Sequence, residues 1–220
     1  MGLANQGITP GRTTLLEAIN VLLENIGEQP VDSNEKEQIQ DARIAEHTIL
    51  ELHREGQLRA WSWNSEEFYP FEKDQATKEI VVPANVVRFT VDPYFYDGRF
   101  ILRGQKVYDK LNRTTKLPDD IKEIHANVVW LLTWDESPEA FNRYTTIRAA
   151  RVFAARVMGS DSIVKYTAAD EQAALTELMR VELDQSQPNA LTGGRGLGPM
   201  PTYQPGMGLL RGVYGGVVIG

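Results

Sequence analysis

Three histidines, thirty carboxylates and no cysteine are the groups with which this chain would do chemistry. His47 and His53 stand six residues apart in a segment that reads as helix. At about 100° per residue the second lies about 240° further around the axis, so they point to different faces and cannot share a metal ion. His125 is alone in a β-rich stretch, so all three read as structural or surface residues. There is no His-Glu-x-x-His zinc motif and no Asp-rich calcium loop. Without cysteine there is no disulfide, thiolate metal site or thiol nucleophile. No Gly-x-Ser-x-Gly elbow occurs, and Gly159-Ser160-Asp161-Ser162 has the wrong spacing. Gly194-Arg195-Gly196-Leu197-Gly198 has the glycines of a phosphate loop, but it follows no strand, opens no helix and runs into Pro199. It reads as flexible backbone. The acid pairs Glu66-Glu67, Asp119-Asp120 and Asp135-Glu136 would suit glycoside hydrolysis only if two carboxylates faced each other about 5–10 Å apart in a groove. Nothing selects such a pair, and they read as solvated turns. The expectation is a non-enzymatic protein with no metal and no cofactor, a glycan hydrolase being the enzymatic alternative.

The other candidate residues are surface-forming. Arg143, Arg148, Arg151 and Arg156 give one helix a broad basic skirt, about 220° of arc at 100° per residue. Two readings stand: an ion-pairing subunit contact or phosphate-facing surface, and a solvated face paired with acids of the same chain. Trp61, Trp63, Phe68, Tyr69 and Phe71 form an aromatic cluster. Alternate members fit a core between sheet and helices, and the rest fit an interface belt, where Trp and Tyr are favoured.

The elements that would position these groups follow from periodicity. Thr14-Leu15-Leu16-Glu17 matches a capping box and opens a helix carrying Leu15, Ile19, Leu22 and Ile26 on one stripe, stopped by Gly27 and Pro30. A second helix is predicted from Asp32 or Ser33 to Gly56, with Ile39, Ala42, Ala45, Ile49 and Leu52 on its face. From Gln57 to Trp134 the texture is that of strands: Ala60–Asn64 alternates, and Ile80–Val82, Val86–Val91, Phe100–Leu102, Lys106–Tyr108 and Val128–Trp134 are separated by turn residues. Ser137-Pro138-Glu139 opens a third helix, with Ser137 as N-cap and Phe141, Tyr144, Ile147, Val152, Ala155 and Met158 facing inward until Gly159. A fourth runs from Thr167, boxed by Asp170, through Ala174, Leu178 and Val181 to Pro188. The expected class is α+β: a bundle of four helices with a small antiparallel β insertion between helices two and three, plus an extended Gly-rich C-terminal arm. Its parts are an N-terminal extension (1–12), a helical hairpin (13–57), the β-rich insertion (58–135), two further helices (136–190) and the arm (191–220).

Composition sharpens that division. The chain has 220 residues and a formal charge of −7, but ten of its eighteen glycines lie in residues 192–220 with three prolines. That tail holds two arginines and no acid, so the rest carries 21 − 30 = −9. A nucleic-acid reader would be basic, and this body is not. The apolar runs fall far short of the roughly 20 residues a membrane helix needs, and Met1–Pro10 lacks the basic start and apolar core of a signal peptide. Leu209, Leu210, Val213 and Tyr214 in the tail are apolar with no domain of their own to bury them. They fit an arm that orders against a partner.

Several separated segments together resemble the tail tubular protein A family of short-tailed phages. Ala18-Ile19-Asn20 through Ile26–Val31 is similar to the family's opening, and Arg59-Ala60-Trp61-Ser62-Trp63-Asn64 to its Arg-Gly-Trp-x-Phe-Asn element, with Ala60 for Gly and Trp63 for Phe. Val107-Tyr108-Asp109 with Asn112-Arg113-Thr114 resembles its Tyr-Asp and Arg-Thr turn. Asp135–Phe141 with Arg148, Ala149 and Phe153 resembles the start of its long third helix. The likeness spans about residues 13 to 190, and the Gly-rich extension after Leu191 has no counterpart in it. It implies a virion protein assembled in the host cytoplasm: a dodecameric adaptor ring with the portal above and the tail nozzle below, tail fibres as a further partner, and double-stranded DNA passing through its lumen. It implies no catalytic residue. A stopper elsewhere in the neck is the structural alternative.

Overall fold

The computed structural model describes residues 11–32, 39–91, 96–158 and 167–186. The chain divides into two units, Met1–Gln185 and Ser186–Gly220. Four helices and two small antiparallel sheets make it α+β.

Helix α1 (Leu15–Asn25) begins on a complete capping box: Thr14 accepts from the Glu17 amide, and Glu17 accepts from the Thr14 amide at 2.7 Å. Gly27, at φ +84°, ends it in the left-handed conformation that glycine adopts without strain. Helix α2 spans Gln40–Gln57, shorter than predicted. Asp32 is not helical, and Ile39 precedes the helix in extended conformation. The reason lies in α1, where the Asn20 amide clamps the Val31 backbone through both N–H (2.9 Å) and C=O (3.0 Å). That clamp holds Val31, which is buried, against α1. Ser33 falls outside the described residues.

Strand β5 (Glu123–Trp130) is the centre of a three-stranded sheet between β1 (Ser65–Glu72) and β2 (Val86–Val91). Strands β3 (Phe100–Arg103) and β4 (Lys106–Asp109) form a hairpin turning at Gly104, φ +61°. Phe71, Ile80, Val82, Val91, Phe100, Val107, Ile124 and Val128 bury one core between these strands. Two expectations need correcting. Ala60–Asn64 is not a strand: Asn64 N–H bonds back to Trp61 C=O, Ala60 has φ +60°, and pairing starts at Ser65. The alternation there reflects Trp61 turning inward on a tight turn. The last strand starts five residues earlier than predicted and ends at Trp130, after which the chain turns at Trp134–Glu136. Strand β1 was obscured by Glu66, Glu67 and Pro70, tolerated because it is an edge strand with a register shift between Glu66 and Tyr69.

Helix α3 spans Glu139–Met158 and α4 spans Ala168–Ser186. Thr167 and Asp170 form the predicted box at the start of α4, both Thr167 groups donating to the carboxylate at 2.7 Å. Ser137 is not the cap of α3: its hydroxyl donates to Thr133 C=O and contacts His53, while Pro138 C=O accepts the first helical bonds. Ala155 is exposed, and Ala149, Ala150, Phe153 and Ala154 are buried in its place. Gly159 and Pro188 lie outside the described residues. The four helices do not share one core. α1, α2 and α3 pack around Ile19, Leu22, Ile49, Leu52 and Phe153, whereas α4 sets Ala174 and Leu178 against Trp61, Phe141, Tyr144 and Ile147.

Candidate functional site

Helix α2 carries His53 and Gln57 on its buried side, where an amphipathic helix would carry apolar residues. Gln57 reads the backbone leaving β5 directly, and His53 reaches it through Ser137. The Gln57 amide donates to Leu132 C=O (3.0 Å) and accepts from Leu132 N–H (2.8 Å), which fixes which end of the amide is nitrogen. That nitrogen also contacts His53 Nδ1 at 3.0 Å, so Nδ1 accepts and the ring proton sits on Nε2. Nε2–H then donates to Ser137 Oγ at 3.0 Å, and Ser137 donates onward to Thr133 C=O. Burial, with the charge of Arg54 adding to it, pushes His53 down to about 4. Trp134 and Phe141 cover the ring, both with centroids 5.3 Å away. Asn64 extends the seam by donating to Gln57 C=O and Trp130 C=O, and Asn142 donates to Trp134 C=O. A serine against a histidine is the raw material of a nucleophile–base pair. Here it is wired in reverse: the imidazole donates to the serine, and the serine is fully buried.

A second hub sits where β4 ends. The Asp109 carboxylate is wholly buried and accepts from Arg99 Nε (2.9 Å) and Nη2 (2.5 Å), from the Leu111 and Asn112 amides, and from Asn112 Nδ2. The Arg99 hydrogen bonds, with those amides, hold its carboxyl down at about 2 against the opposing effect of burial. A bidentate guanidinium and two loop amides are what a buried carboxylate requires.

The arginines of α3 resolve into an ordered arc. Arg151 pairs with Glu171 of α4 (2.7 Å), Arg148 with both Glu171 (3.8 Å) and Glu55 of α2 (2.9 Å), and Arg156 with Glu51 of α2 (2.9 Å). Around the helix these residues lie at about 80°, 140° and 220° from Arg143. The skirt is broad because it serves two neighbouring helices. Arg143 is exposed and has no ion-pair partner among the described residues. Trp61 and Trp63 pack on Phe141, Tyr69 joins the sheet core, and Phe68 is half exposed at the bulge, φ +55°. Leu209, Leu210, Val213 and Tyr214 lie outside the described residues.

The sequence reasoning missed the seam and the Asp109 hub. The available signal for the seam was a pair of polar residues, His53 and Gln57, at i, i+4 on an otherwise apolar stripe. Among the described residues no group of three or more His, Asp and Glu side chains is placed to hold a metal, and no helix is long and apolar enough to cross a membrane. The convergent polar side chains tie the protein's own elements together.

Such an arrangement is that of a protein whose buried polar groups join its own helices and strands. Comparison with known families carries this further. Residues 16–188 match the family model described as tail tubular protein, and the chain belongs to that family. It is therefore a structural protein of the phage tail, located in the tail of the virion. A search of curated proteins found no match. The four segments that carried the resemblance are joints of the fold: the Asn20–Val31 clamp, the Trp61–Asn64 turn, the Asp109–Asn112 hub and the turn leading into α3.

Proposed function

We propose that this chain forms the adaptor ring of a short phage tail, a dodecamer docked between the portal and the tail nozzle, whose lumen is part of the channel through which DNA leaves. The family match over residues 16–188 carries the reading. The charge supports it: a body at 21 − 30 = −9 repels phosphates, so double-stranded DNA slides past a wall it does not bind. In this reading the helical parts (13–57 and 136–190) and the β-rich insertion (58–135) build the ring, and the tail fibres are a further partner. The arm (191–220) orders through Leu209, Leu210, Val213 and Tyr214 against the portal or a neighbouring subunit. Of the α3 arginines, Arg148, Arg151 and Arg156 already hold acids of their own chain, which leaves Arg143 the most available for a partner. Assembly takes place in the host cytoplasm before the particle is complete. Electron microscopy of the purified protein mixed with portal tests the reading. A coaxial ring on the portal is expected, and a monomer that ignores the portal overturns it.

A further inference from the structure

Helices α2 and α4 flank α3, and each turns a charged stripe to solvent. On α2, Arg43, His47, Leu50 and Arg54 fall within about 60° of arc. They lie opposite the buried face of Ala42, Ala45, Ile49 and Leu52. Arg43, His47 and Arg54 are exposed and Leu50 is half-buried; neither arginine has an ion-pair partner among the described residues. On α4, Asp170, Ala173, Glu177, Val181 and Asp184 fall within about 80° of arc. The three acids recur at heptad spacing and are exposed, with Val181 half-buried between them. Opposite charges border each stripe: Glu46 and Glu51, the latter paired with Arg156 (2.9 Å), flank the first, and Arg180, paired with Glu177 (2.7 Å) and Asp184 (3.5 Å), lies beside the second. The stripes also match in length, about 16 Å from Arg43 to Arg54 and about 21 Å from Asp170 to Asp184 at 1.5 Å per residue.

We infer that the basic stripe of α2 on one copy docks against the acidic stripe of α4 on the next. The occupant is a second copy because the complementary charge pattern is present on the same chain. Arg43 and Arg54 then sit over acids of the neighbour, with Leu50 and Val181 covered between them, an apolar strip inside a charged rim. Exposed ion pairs are individually weak, so the contact needs both the row of charges and that strip. The two faces differ, so the contact is heterologous and each copy offers a free face to the next, which is how rings close. The inference rests on the ring proposed above and specifies its seam.

The absence of cysteine makes the test clean. The full chain carrying His47→Cys and Glu177→Cys is assembled on portal, inspected by electron microscopy and treated with a short thiol crosslinker. A ladder of crosslinked subunits extending beyond the dimer is expected. Rings that form without such a ladder overturn the inference and leave the adaptor reading standing. Failure of the unmodified chain to form rings overturns the adaptor reading and this inference with it. A charge exchange guards against a folding artefact. Arg43→Glu with Arg54→Glu is expected to lower ring yield at least about tenfold. Adding Glu177→Lys and Asp184→Lys to the same chain is expected to restore it. Folded variants that show no loss, or no restoration, overturn the pairing.

Discussion

Between pH 7 and pH 5 an ordinary histidine gains a proton, whereas His53 in the folded chain, with its site pushed down to about 4, stays neutral. The unfolded chain therefore binds more protons in that interval, and unfolding is favoured as the pH falls. The stabilisation is fully present above the unfolded value of 6.5 and is lost as the pH falls toward about 4. From those two values the loss relative to pH 7 is about 2 kcal/mol at pH 5 and about 3 kcal/mol at pH 4. The physical obstacle is visible in the seam. Protonation puts a hydrogen on Nδ1, where the Gln57 amide already points an N–H, and Leu132 prevents that amide from turning over. The assay is urea unfolding at pH 7, 6 and 5, followed by tryptophan fluorescence, for the natural chain and for His53→Gln. The variant is expected to be less stable at pH 7 yet to show a much flatter stability profile across the window. The difference between the two profiles isolates His53 from the surface histidines and acids. If both lose stability equally between pH 7 and pH 5, the folded His53 titrates like a free histidine and the donor order derived for the seam is wrong.

Two further outcomes follow from the same geometry. Asp109→Asn is expected to cost about 3 kcal/mol or more in denaturant unfolding, because it leaves Arg99 without its countercharge in a partly buried site. Since the folded Asp109 value is lowered from 3.8 to about 2, its contribution is present above pH 4 and fades as the pH falls toward 2, which acid unfolding of the natural chain and the variant will compare. Gly56→Ala is expected to lower stability by about 1–2 kcal/mol, although alanine is the better helix former by about 1 kcal/mol. The added Cβ would lie 2.9 Å from Phe141 Cε2 and Cζ. That ring is fully buried between His53, Trp61 and Trp63, so it cannot move aside. An unchanged melting temperature would show that the ring yields.

What the sequence determined by itself was local. Thr14–Glu17 and Thr167–Asp170 are capping boxes whose partners lie three residues apart. The β3–β4 turn at Gly104 and the end of α1 at Gly27 need a left-handed residue and have one. The family likeness was legible as well, because its segments are joints whose residue types the backbone restricts. Tertiary structure decided everything that depends on groups far apart in the chain. Ser137 has the chemistry of an N-cap, but Thr133 and His53 claim its hydroxyl, the latter across 84 positions. Trp61 and Trp63 alternate as in a strand, but Phe141 and the buried Asn64 hold them on a turn. The skirt of α3 suited a partner or acids of its own chain equally by spacing, and two helices of the same chain take up most of it. A polar group desolvated by folding must find a partner wherever the fold provides one. Sequence spacing records that search only when the partner is within a turn or two.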